Sequence, residues 1–266
     1  MKLRTSCLLA WCAAFAAGAG ATAASATSLK ADYLITLAGL TLGHADLAGS
    51  FVGDRYELRM NARLTGLAGL FSGSGRGGAV ASGTLGSGRA LAGAFTANGK
   101  SGGAQRVVQV GLSSGNVEQI RIDPPFEERP DRVPLTEAHK RAIIDPLSAV
   151  VGVTARGGKL DDPANCNRRL PVFDGTQRFD VVLSYAETRA VTRPGFSGNV
   201  LVCNVRYEPI AGHRPARPAV KFMAENRDIS VWYAPVEGTR VLVPLRISLS
   251  TMLGTSVVEA ERWRVE

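Results

Sequence analysis

Hydrophobic and polar positions alternate with period two along most of the chain. Tyr56, Leu58, Met60, Ala62 and Leu64 alternate with Glu57, Arg59, Asn61 and Arg63. That spacing predicts a strand with one buried and one wet face. Tyr33, Ile35 and Leu37 alternate in the same way with Leu34 and Thr36, and Gly39 and Gly43 punctuate the run. A further run over 45–52 ends at the turn signal Gly53-Asp54. Strands are also expected over 106–112 and 117–122, joined by a hairpin turn at Ser113 to Asn116.

The stretch between Gly66 and Gly103 holds 13 glycines in 38 positions. Apolar residues recur within it at Ala79, Val80, Leu85, Leu91 and Phe95. This favours short strands with glycine turns and bulges, a composition suited to strong sheet curvature. A flexible linker is the alternative reading.

The middle of the chain breaks the pattern. Asp123-Pro124-Pro125 stops a strand, and Pro130 and Pro134 keep the next stretch extended. Thr136 with Glu137 reads as a helix start. Asp145-Pro146 reads as an N-cap followed by proline at the first helical position, opening a helix to about Val153. Gly157-Gly158 ends it. Strands then resume over 178–189, 200–205, 229–233, 241–249 and 256–265. Asp174-Gly175 and Glu237-Gly238 are expected as tight turns.

These elements make the fold class mainly β. A curved antiparallel sheet or a partly open β-barrel is expected, with one short helical interlude near 136–153. One domain over 27–266 is the reading, and two domains split near 123 are the alternative.

Residues 1–26 read as a cleavable signal peptide. Lys2 and Arg4 precede an apolar run from Leu8 to Gly20, and Ala24-Ser25-Ala26 is a small-residue cleavage site. An uncleaved anchor is the alternative. No other stretch is long and apolar enough to span a bilayer. Cys7 and Cys12 lie within the signal, leaving Cys166 and Cys203 as the only pair. An even pair in an exported chain favours a disulfide over two free thiols or a metal pair.

The net charge is +8 and arginine dominates the basic residues. The arginines are scattered singly along alternating strands. They suit a solvated basic surface, or attraction to anionic lipid or glycan. A nucleic-acid partner is not expected, because no basic stripe with interleaved aromatics occurs.

Motifs for catalysis are weak. Gly73 to Gly78 matches G-x-G-x-x-G, but no helix is expected after it and no acid occurs between Glu57 and Glu118. Gly111 to Gly115 matches G-x-S-x-G, but a strand is expected where the nucleophile elbow needs a helix. His44, His139 and His213 stand alone, without partners at metal-ligand spacing. No catalytic, cofactor or metal residues are therefore assigned. The densest polar constellation is Arg168, Arg169, Phe173, Asp174 and Arg178. It reads as a strand–turn–strand with outward arginines, or as a ligand or partner patch beside the disulfide.

The stretch from Asn165 to Gly175, then Arg178 to Tyr185, Val200 to His213 and Val243 to Thr251, resembles the domain-of-unknown-function 3108 family of exported proteobacterial proteins. The resemblance implies an envelope location and a β-rich, barrel-like fold, and it brings no catalytic residues. The expectation is a non-enzymatic periplasmic protein with a structural or interaction role in envelope maintenance, its partner an envelope protein or a lipid. A carrier of a lipid or other amphiphile in a curved-sheet cavity is the first alternative. An envelope hydrolase is the second.

Overall fold

The computed structural model describes residues 26–64, 75–101, 104–127 and 129–266. The expected signal peptide, apart from Ala26, lies outside these residues. Among the described residues fourteen strands form one sheet, and every neighbouring pair along it is antiparallel. One half is a meander of β1 (Ala26–Leu37), β2 (Leu40–Val52), β3 (Arg55–Leu64), β4 (Arg76–Leu85), β5 (Ala90–Ser101), β6 (Ala104–Ser113) and β7 (Asn116–Asp123). The other half comprises β9 (Arg168–Phe173), β10 (Arg178–Arg193), β11 (Phe196–Ala211), β12 (Ile229–Val236), β13 (Val241–Thr251) and β14 (Gly254–Val265). The two-residue β8 (Gly152–Val153) pairs with β13.

The halves join where β1 pairs with β14, so the first and last strands lie together at the centre of the sheet. Each further hairpin extends the sheet outward to β7 on one side and β9 on the other. The glycine-rich stretch contributes β4 and β5, as regular strands with a bulge at Ser82/Gly83. Gly83 is required there, since a Cβ would lie 2.1 Å from the Leu91 carbonyl oxygen. The turn signals also hold: Gly53, Gly175 and Gly238 have φ of +58°, +97° and +73°, which glycine adopts without steric cost.

The sheet does not close. β7 and β9 are its two edges, so the expected antiparallel sheet is the form observed, and the barrel-like closure implied by the family resemblance is not. The residues between the edges explain this. Ile143 N–H donates to the Gly115 carbonyl at the β6–β7 turn, and Ile144 pairs with Val172 of β9 through a parallel bridge. A crossing segment thus stands where the edges would otherwise pair. It also covers hydrogen-bonding groups that an exposed edge would offer to other chains.

The helical interlude is shorter than expected. Glu137–Lys140 is one 3₁₀ turn, and α1 spans only Pro146–Val150. Asp145 caps α1, its Oδ1 accepting from Leu147 N–H at 3.0 Å and Ser148 N–H at 2.9 Å. The helix stops before Val153 because Gly152 and Val153 are drawn into pairing with Val241 and Leu242. A second helix, α2 (Pro218–Glu225), was not anticipated. Its sequence signal is Pro218 at the first helical position.

The concave side is filled. Leu29, Tyr33, Phe51, Leu58 and Phe95 meet Phe173, Val243 and Trp263 from the other half in one buried cluster. Ile143, Ile144, Leu147 and Val151 insert from the crossing segment. The Tyr56 hydroxyl lies 2.7 Å from the Ser148 hydroxyl and ties β3 to α1. The Tyr33 hydroxyl donates to the Pro244 carbonyl at 2.8 Å. Burial pushes both phenols well above their usual titration range.

Candidate functional site

The disulfide joins Cys166, at the end of the 3₁₀ turn Pro163–Cys166, to Cys203 in β11, with Cα atoms 5.5 Å apart. Both cysteines are fully buried beside Leu183, Leu201, Val231, Tyr233 and Leu242. Burial pushes the neighbouring Tyr233 phenol up to about 12. The bond ties the chain entering edge strand β9 to β11, two strands inward.

The constellation beside it is occupied with internal contacts. Arg168 donates to the Gly88 carbonyl at 2.7 Å and to Asn165 Oδ1 at 2.9 Å, and burial lowers its pKa. Arg169 donates to Glu208 and Asp180, which together hold its charge firmly. Arg178 Nη1 lies 2.6 Å from Asp180 Oδ1. Asp174 Oδ1 accepts from Thr176 N–H and Gln177 N–H, both at 2.7 Å, building the turn. Phe173 has no exposed surface and packs in the core. The five residues are near in space, but Phe173 offers nothing to a ligand and the polar groups face one another.

The two catalytic-looking motifs fall in turns and strands. Gly111 to Gly115 spans the end of β6 and the β6–β7 turn, with Ser114 and Gly115 at φ of +50° and +80°. Gly77 and Gly78 lie in β4, while Gly73 and Ser74 lie outside the described residues. His44 is on β2, His139 sits in the 3₁₀ turn, and His213 is buried two residues past β11, where burial lowers its pKa.

The outer face of β2 to β6 carries a different feature. Antiparallel register places Arg63 opposite Arg76, Arg76 opposite Lys100, and Lys100 opposite Gln105. All three cations are exposed. The adjoining row is Asp46, Asn61, Gly78 and Asn98. Together these residues line an open trough of about 440 Å³. Among the described residues its single carboxylate is Asp46, which accepts from Asn61 Nδ2 at 2.8 Å. Gly78 forms part of the floor, where a Cβ would meet Asn61 Oδ1 at 3.1 Å. Among the described residues, no carboxylate lies within ion-pairing distance of Arg63, Arg76 or Lys100.

A second open trough of about 820 Å³ continues across β14, β1 and β2, between Asp32, His44, Glu261 and Arg262. Arg262 and Asp32 form a loose ion pair there at 3.9 Å, and His44 Nδ1 lies 3.9 Å from Glu261 Oε2. A third cleft, of about 390 Å³, lies at the open edge between Ile122, Phe126, Arg132, Leu135 and Gly175. There the Arg132 guanidinium stacks 4.3 Å from the Phe126 ring centroid and donates to the Gly212 carbonyl. Among the described residues no three His, Cys, Asp or Glu side chains gather as metal ligands would.

A family model described as "Protein of unknown function (DUF3108)" matches residues 32–261, from β1 into β14. The chain belongs to the DUF3108 family. No curated protein and no solved structure matches this DUF3108 chain. The matched span contains both halves of the sheet, the crossing segment, the disulfide and the cationic trough. Among the described residues no helix is long and apolar enough to cross a membrane.

Proposed function

We propose that this DUF3108 protein is exported to the periplasm and acts there as a non-enzymatic structural or interaction component of the cell envelope. The observation that carries the reading is where the sheet puts its side chains. The concave side, where a curved-sheet carrier would hold an amphiphile, is packed by α1, Phe173 and strand residues from both halves. The surface that remains for recognition is the outer face, with its charged troughs and exposed hairpin tips. The disulfide suits an oxidising compartment.

Fractionation of the native protein, with alkylation of its thiols before lysis, tests the compartment. The expected result is release with the periplasmic fraction and no alkylation of Cys166 or Cys203. Cytosolic retention with reduced thiols would overturn the reading. Mass spectrometry of lipid extracted from gently purified protein tests the carrier alternative. Stoichiometric lipid would replace an interaction role with a carrier.

A further inference from the structure

The row Arg63–Arg76–Lys100 is energetically odd. Like charges directly opposite one another on neighbouring strands destabilise the pairing, and here two such pairs lie side by side. Several arginines elsewhere do meet carboxylates. Arg246 and Arg193 share Glu259, Arg169 meets Asp180 and Glu208, and Arg240 meets Asp54. The trough instead surrounds its cations with neutral hydrogen-bonding groups from Asn61, Asn98 and Gln105, and its carboxylate, Asp46, is engaged by Asn61 at 2.8 Å. The undescribed residues 65–74, which come after β3 in sequence, contain no Asp or Glu.

The same end of the sheet carries exposed apolar side chains. Leu40 in the β1–β2 hairpin is 55% exposed, and Met252 and Leu253 in the β13–β14 hairpin are 62% and 77% exposed. Ala38 N–H donates to the Thr255 carbonyl at 2.9 Å, joining the two tips. Arg63 pairs with His44, four residues along β2 from Leu40. At about 3.3 Å per residue and about 4.8 Å between strands, Leu40 lies roughly 14–20 Å from the cationic row, and the β13–β14 tip, on the far side of β1 and β2, roughly 20–30 Å from it. Single exposed apolar residues need no explanation. Three on two joined tips, at the same end of the sheet as three cations with no carboxylate partner among the described residues, form an amphipathic end.

We propose that this end of the sheet docks on an anionic phospholipid bilayer, with lipid phosphates in the Arg63–Arg76–Lys100 trough and Leu40, Met252 and Leu253 in the interfacial layer. The inference rests on the envelope-interaction reading and names its partner. Charge complementarity selects the occupant. The row attracts phosphate and repels a second copy of this basic chain, and apolar tips gain from an interface that free phosphate does not provide.

Vesicle flotation tests it, with phosphatidylcholine alone or mixed with phosphatidylglycerol, at low and high salt. The parent should float with the anionic vesicles, less at high salt, and far less with the neutral ones. The triple variant Arg63→Gln/Arg76→Gln/Lys100→Gln should lose about 100-fold in partitioning, from about fivefold per cation. It should melt no lower than the parent, since repulsion is removed. Leu40→Ser/Met252→Ser/Leu253→Ser should also weaken partitioning and leaves every cation in place. All proteins carry the same N-terminus, so any leader contributes equally to each. Equal binding to both vesicle types, or full binding by the cation variant, would overturn the proposal. So would saturable binding of inorganic phosphate at the trough without vesicle recruitment, which would make it a small-anion site. None of these outcomes changes the compartment found by fractionation, so the two proposals fail separately.

Discussion

Removing the disulfide offers the cleanest test of how this sheet is held together. Cys166 and Cys203 are 37 positions apart, and the closed loop contains β9, β10 and the start of β11. In the chain-entropy model, opening a loop of that length releases about 4 kcal/mol of unfolded-state restraint. For a domain of this size each kcal/mol moves the melting temperature by about 2–4 °C. The pair Cys166→Ala/Cys203→Ala should therefore melt about 8–16 °C below the oxidised parent. Because the stabilisation acts through the unfolded chain, the urea m-value should rise in the variant, whose unfolded state is less compact. Calorimetry and urea titration, with and without reductant, provide both numbers. Reductant should leave the variant unaffected. A melting shift under about 2 °C, or two titratable thiols in the native parent, would refute the cross-link. A large shift with an unchanged m-value would refute its entropic origin and point to packing around the buried sulfurs.

Other perturbations probe the core and its polar fittings. Phe173→Ala should cost about 3–5 kcal/mol in urea unfolding, because the ring is fully buried where β9 meets the crossing segment. A cost below 1 kcal/mol would mean the site collapses or is not packed as described. Burial raises the pKa of Asp145 in the fold, so the native state binds more protons above the ordinary carboxylate pKa. Stability attributable to this group should thus fall as pH rises from about 4 towards the raised value. Asp145→Asn keeps the cap acceptor and should flatten that slope in melts across the acid range; an unchanged slope would contradict it. Arg240 donates to the carbonyls of Leu85, Gly86 and Thr154 and to Asp54, pinning three turns at one end of the sheet. Arg240→Met should cost about 2–3 kcal/mol and speed amide exchange in the β4–β5 turn. The hydrogen bond from Arg240 lowers the pKa of Asp54, so the gap between parent and variant should narrow as pH falls through that depressed value.

The outer troughs show where local reading stops. Arg63 reads as one wet-face position of an alternating strand, which it is. Arg76 and Lys100 lie in a glycine-rich stretch where no single position stands out. Only in-register pairing of β3, β4 and β5 brings the three charges face to face. The opposite happened to Arg168, Arg169, Asp174 and Arg178. They are dense in sequence, yet Asn165, Asp180, Glu208 and local backbone groups take up their polar atoms.

What the sequence determined by itself is everything set within a few residues. Period-two alternation placed most strands, because side chains in a strand point alternately to opposite faces. Gly53, Gly175 and Gly238 marked turns that need positive φ. Asp145 marked a helix start, because its carboxylate satisfies orphan N–H groups locally. The count of cysteines paired Cys166 with Cys203. What only the tertiary structure decided is which distant segments meet. The pairing of β1 with β14, the open seam between β7 and β9, the filled concave side and the cationic row all depend on contacts far apart along the chain. Such contacts are set by the register and curvature of the whole sheet, a property no short window of residues contains.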